Sequence, residues 1–257
     1  DLLNHDPSMI LDTALAEIRE AGFTIFDCTI YQDIKSICAG SAVIFENDTS
    51  NLIPINFFMP TSDKSAARSY YFYQRQLTEV FNKLFLNLKA SLNGKQACVP
   101  LSAGLDSRLV LSGLLQHGHQ NILAYSYGLR KNSDAMAAEE ICNRLNVRWV
   151  FVEMTPTLIR KFSKSEVYRG YCRFAFTGDS VPFIQDLYAV NFLLNVPGLV
   201  EHGAVFINGN SGDFISGGHI PQALQGVDKT SSPVSKLEVA TEEYIKKHFA
   251  LWGLCER

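Results

Sequence analysis

The segment Leu101-Ser102-Ala103-Gly104-Leu105-Asp106-Ser107 holds residue types that phosphate chemistry uses. It follows a short apolar run and precedes a helical pattern, so it reads as a strand-to-helix turn. Small residues in such a turn let the main chain come close to a ligand. The start of the helix offers unpaired N–H groups and the positive end of a dipole, which suits an anion. Ser102 and Ser107 add hydroxyl donors. Asp106 would repel a phosphate unless a divalent cation, Mg²⁺ above all, lay between them. The same residues could form an ordinary turn capped by Asp and Ser. The sequence is neither a GK[ST] loop nor a GxGxxG loop. A second small-residue segment, Asn208-Gly209-Asn210-Ser211-Gly212-Asp213-Phe214-Ile215-Ser216-Gly217-Gly218, follows another apolar run. Read alone, it is also compatible with a Gly/Ser-rich surface connection.

Both segments need elements to hold them. Hydrophobic spacing predicts helices over 11–21, 66–92, 106–117, 133–145 and 182–194, with Ser133 as an N-cap. Apolar runs predict strands over 23–30, 42–45, 97–101, 122–127, 148–152 and 204–208. Asn47-Asp48 reads as a turn, and residues 51–64, with Pro54 and Pro60, as a connector. From residue 97 on, strands alternate with helices. That order predicts an α/β fold, a Rossmann-like parallel sheet with helices on both faces, whose ligands bind beyond the carboxyl ends of the strands.

Composition narrows the class. Apolar residues make up 47% of the 257, enough for a large core, and a net charge of −3 gives no basic surplus for nucleic acid. The six cysteines form no CxxC pair, so they read as buried thiols, Cys28 and Cys38 included. That usage points to a reducing, cytoplasmic setting. No apolar run is long enough to span a bilayer, and the first residues resemble neither a signal peptide nor a natural start. His117 and His119 lack a third ligand and read as a helix end. Tyr70-Tyr71-Phe72-Tyr73 reads as packing at a helix start, and Glu242, Glu243, Lys246 and Lys247 as a solvated helix face.

The first loop resembles the SGGxDS pyrophosphate loop of the N-type ATP pyrophosphatases, with Ala103 in place of the middle Gly. The second resembles the SGEGSDExFGG segment of asparagine synthetases and β-lactam synthetases, with Gly209, Asp213, Gly217 and Gly218 in register. Residues 124–145 resemble the family's next strand and helix. The resemblance covers roughly residues 66–220 and implies an adenine nucleotide alpha hydrolase-like, PP-loop fold. It implies that Leu101, Ser102, Gly104, Asp106 and Ser107 line an ATP site, that main chain near Tyr127 meets adenine, and that Gly209 approaches the nucleotide. Asp106 and Asp213 would hold Mg²⁺. The implied activity is an amide-forming ligase that adenylates a carboxylate, releases PPi and transfers ammonia or an amine. Aspartate is the default substrate, and a sugar uronic acid of surface polysaccharide synthesis the alternative. A non-catalytic ATP-binding module is a further reading, and related tRNA-modifying or sulfur-transfer chemistry ranks last.

On this reading residues 1–60 are a linker or a remnant of a glutaminase-like domain that would supply ammonia from glutamine. Residues 61–257 are then the synthetase domain, cut short at its end and able to form a homo-oligomer. The chain departs from the family pattern in several places. Asn210 and Phe214 stand where asparagine synthetases carry acids, and Arg108 replaces a small residue. Around Tyr171–Phe176 the expected Glu-x-x-Asp is missing, although Glu166 and Asp179 flank it. The family's late Lys has no clear counterpart, because Lys246 and Lys247 lie too near the second loop. His219, where the family often has Tyr, reads as a loop side chain that could also reach a substrate carboxylate.

Overall fold

The computed structural model describes residues 9–38, 40–46, 49–54, 68–210, 212 and 233–248. They fall into two units, one of residues 1–62, 169–183 and 220–257, the other of 63–168 and 184–219.

The second unit carries the sheet. Its strands are β3 (Ala97–Pro100), β4 (Ile122–Gly128), β5 (Arg148–Glu153) and β6 (Val205–Phe206), in the order β5-β4-β3-β6 and all parallel. Helix α2 (Tyr70–Leu92) precedes β3, and α3 (Leu105–Gln116), α4 (Ser133–Leu145), α5 (Pro156–Phe162) and α7 (Leu187–Leu194) run between the strands. Strand residues alternate between faces, and the core divides accordingly. Ala97, Val99, Leu101, Ile122 and Ala124 pack with Leu92 of α2, Leu111 and Leu114 of α3, and Ala138 and Cys142 of α4. Cys98, Leu123, Tyr125 and Val152 pack with Ala189 and Leu193 of α7 and with Leu199. Both faces are therefore covered, which is why these strands read as nearly unbroken apolar runs.

The other unit holds α1 (Asp12–Ala21), the antiparallel pair β1 (Ser41–Glu46) and β2 (Thr49–Pro54), most of α6 (Glu166–Ala175) and α8 (Pro233–His248). A small cluster of Ala14, Ile30 and Tyr31, with Ile10, Ile18 and Phe176 against it, forms its centre. In α8, Lys246 pairs with Glu243 at 3.4 Å, as the solvated-face reading expects.

Several expectations are corrected. Residues 23–30 form no strand: Phe26 adopts φ 59°, and the Thr24 hydroxyl closes a turn by donating to the Cys28 carbonyl at 2.6 Å. Residues 51–54, expected to begin a connector, belong instead to strand β2. The helix expected from 182 begins at Leu187, and α4 is capped by Asn132, whose side chain accepts from the Ala135 N–H, not by Ser133. Tyr70, Tyr71 and Tyr73 are exposed rather than packed, and Cys28 and Cys38 are only half-buried. α6 occupies the stretch where the Glu-x-x-Asp was sought. Asp179 beside it accepts from Ser36, Thr177 and Ser180 and serves as a clasp within its own unit. The Asn47-Asp48 turn lies outside the described residues.

Candidate nucleotide site

β3 is an inner strand, and the chain leaves its carboxyl end through Leu101–Gly104 to start α3. Leu101 is buried and tied to β4 twice: its N–H donates to the Tyr125 carbonyl at 2.8 Å, and its carbonyl accepts from the Ser126 hydroxyl at 2.7 Å. The Trp149 indole N–H in turn donates to that hydroxyl at 3.0 Å. The loop then closes on itself. Ser102 N–H donates to Ser107 Oγ at 3.1 Å, the two hydroxyls lie 3.1 Å apart, and Gly104 N–H donates to Ser102 Oγ at 3.1 Å.

Gly104 occupies the cap position of α3 without a side-chain cap, so the helix presents its first turn, Asp106 included, to the loop. Arg108 Nε donates to the Gly104 carbonyl at 3.1 Å. Ala103 N–H donates to Asp134 Oδ1 from the first turn of α4 at 3.3 Å.

The second loop meets the first. Ile207 N–H donates to the Cys98 carbonyl at 2.9 Å, which carries the chain alongside β3 to Gly209. A Cβ on Gly209 would lie 2.8 Å from both the Asp106 carbonyl carbon and the Ser107 nitrogen, and one on Gly212 would collide with the Asp106 carboxylate. Glycine at both positions thus lets the two loops touch at Asp106. Asp213, His219 and the rest of 213–220, and with them the expected meeting of Asp106 with Asp213, lie outside the described residues.

Tyr127 stands at the end of β4. The last main-chain link from the β3 side to β4 is the one from Leu101 to Tyr125, and main-chain groups of alternate residues point to the same neighbour. Tyr127 therefore turns its N–H and C=O toward the loop after β3, past that last link. Its half-buried phenol stands out of the plane of the sheet, donates to Asp186 at the start of α7, and accepts from Gln185 Nε2 at 3.4 Å. Burial first, and the Asp186 carboxylate second, push this phenol well above its ordinary range, so it stays a donor.

Leu101, Ser102, Gly104, Asp106, Ser107 and Gly209 are therefore brought together, with the Tyr127 main chain facing them. The sequence does not reveal Asp134 and Asp186 as parts of this neighbourhood, because each reaches it from a distant element. The one local signal is an acidic residue at the first turn or cap of a helix that follows the loop.

The asparagine synthase family model matches residues 92–245, more than half of the sequence. The chain belongs to the asparagine synthase family. That makes it a member of a family of ATP-utilising ligases. No curated protein matches the sequence. Among solved structures, the NH3-dependent NAD synthetase from Campylobacter jejuni subsp. jejuni NCTC 11168, in complex with the nitrate ion, aligns over 70% of this chain and 88% of its own. Its sequence identity is 16% and its TM-score 0.33. Within the asparagine synthase family frame, the described residues include no helix long and apolar enough to cross a membrane.

Proposed function

We propose that this chain is the synthetase part of an ATP-dependent amide-forming ligase, with ATP held across the loops at 101–107 and 208–213. The observation that carries the reading is the approach of Gly209 and Gly212 to Asp106 and Ser107, a fit that a side chain on either glycine would spoil. It suits a nucleotide, because hydroxyls, loop N–H groups and the start of α3 converge where phosphates would lie. Asp106, with Asp213 as its expected partner, would hold Mg²⁺, which when bound offsets charge on the departing pyrophosphate.

A substrate carboxylate oxygen attacks the α-phosphorus, and the bond from that phosphorus to the bridging oxygen breaks, releasing PPi. Ammonia or an amine then attacks the activated acyl carbon, AMP leaves, and the nitrogen sheds a proton. The chain's share of this is placement. Ser102 and Ser107 donate to phosphate oxygens, and the main chain near Tyr127 meets adenine. Aspartate is the default carboxylate. A uronic acid is the second choice, favoured by Asn210 and Phe214, which stand where asparagine synthetases carry acids. Ammonia released by a glutaminase domain is the nitrogen source that the resemblance implies.

Calorimetry of Mg²⁺-dependent ATP binding to wild type and Asp106→Ala tests the site, and PPi release across carboxylates tests the reaction. Binding that the substitution abolishes, followed by carboxylate-dependent AMP and PPi, is the expected result. ADP and phosphate as products would overturn the adenylation step. ATP binding without turnover of any carboxylate would favour a non-catalytic nucleotide-binding module.

A further inference from the structure

Asp186 sits at the cap position of α7, yet its side chain caps nothing. The contrast with neighbouring helices is direct: Ser69, Asn132 and Thr155 all turn a side-chain oxygen onto the first turn of α2, α4 and α5. Asp186 instead accepts the phenol of Tyr127, and Gln185 beside it donates to the same phenol oxygen. On the opposite side of Tyr127 the strand end is held through Gly128, whose carbonyl accepts from the Met154 N–H at 2.7 Å. On the β3 side it has passed the last rung, where Leu101 N–H meets the Tyr125 carbonyl. The phenol is thus the hold on this strand end that comes from the α7 face.

We propose that Asp186 is a positioning residue for the nucleotide base: acting through the Tyr127 phenol, it fixes the end of β4 whose main chain faces the nucleotide. The inference rests on the ATP reading above and adds to it a base-side device outside both loops. The phosphate-binding loop has its own internal bonds, so it does not depend on this anchor.

The test separates base from phosphates. In the full chain, ATP and inorganic tripolyphosphate, each with Mg²⁺, are titrated into wild type, Tyr127→Phe, Asp186→Ala, Asp186→Asn and the double variant Tyr127→Phe/Asp186→Ala. Loss of a hydrogen bond to a carboxylate predicts about tenfold weaker ATP binding in Tyr127→Phe and Asp186→Ala. Tripolyphosphate binding stays as in wild type. The double variant is no worse than either single one, because both remove the same link. Asp186→Asn keeps an acceptor oxygen and recovers most of the ATP affinity. With a responsive carboxylate, the KM for ATP rises while kcat changes little. Equal loss for ATP and tripolyphosphate would reduce Asp186 to a structural strut and overturn the proposal. Unchanged ATP binding would overturn it while leaving the ATP reading intact. A folded wild type that binds neither ligand overturns the ATP reading and this inference together.

Discussion

Gly209 and Gly212 both abut the first loop, yet a methyl group at each has a different consequence. At Gly209 it would press on the main chain of Asp106 and Ser107, which cannot turn aside. Gly209→Ala is expected to cost about 1–3 kcal/mol by overpacking and to weaken ATP binding as well. Urea unfolding together with calorimetry checks both effects. At Gly212 the methyl would meet the Asp106 carboxylate, a side chain that can rotate away. Gly212→Ala is expected to leave the urea midpoint nearly unchanged while removing the Mg²⁺-dependent part of ATP binding. The first loop is legible in the sequence because one short run of residues carries its small side chains, hydroxyls and acid. Asp134 and Asp186 are not, because their contacts to Ala103 and Tyr127 depend on how distant elements pack, which no local pattern encodes.

The parallel strands were legible at the scale of elements because burial on both faces makes them apolar throughout. Residues 23–30 misled for a physical reason. Their alternation of apolar residues with Thr24 and Asp27 mimics a strand, but the polar groups close loop hydrogen bonds, with Thr29 Oγ1 donating to the carbonyls of Tyr31 and Ile34. Helix α2 shows what periodicity leaves out: Phe85 and Leu92 are buried while Leu77, Val80 and Leu84 are exposed, although all five fit helical spacing. Helix α3 meets α2 through Gly113, whose missing Cβ makes room for the Phe85 ring. Gly113→Ala is therefore expected to destabilise the chain by about 1–3 kcal/mol, despite the gain of about 1 kcal/mol that alanine brings to an exposed helix interior. Thermal unfolding decides the sign. Leu193 of α7 is fully buried, and Leu193→Ala should cost about 2–5 kcal/mol.

Across the whole molecule the two units should answer pH from opposite ends. Burial pushes the thiols of Cys98 on β3 and Cys142 on α4 up to about 11 from 9.0, with the Glu201 charge adding to the effect at Cys98. Between those pH values the unfolded chain has released protons that the folded chain retains. Their stabilisation is thus complete below pH 9 and is lost as pH rises toward 11. Urea midpoints at pH 8, 9.5 and 10.5, followed by the fluorescence of Trp149, should fall steadily, and less steeply in Cys142→Ala relative to its own value at pH 8. Asp179, in the other unit, moves the opposite way. Burial raises its pKa, but bonds from Ser36, Thr177 and Ser180 outweigh burial and hold it below 3.8. Its contribution is present at neutral pH and disappears as acid protonates it. The order of the sheet also has a consequence in time. β3 pairs on one side with β4, the next strand made, and on the other with β6, whose residues follow roughly a hundred positions later. During synthesis, then, the loop after β3 and its Asp134 tether can be in place while Gly209 and Gly212 have yet to be translated. A nascent chain halted after β5 would own half of the proposed nucleotide site, and only the arrival of β6 would close it.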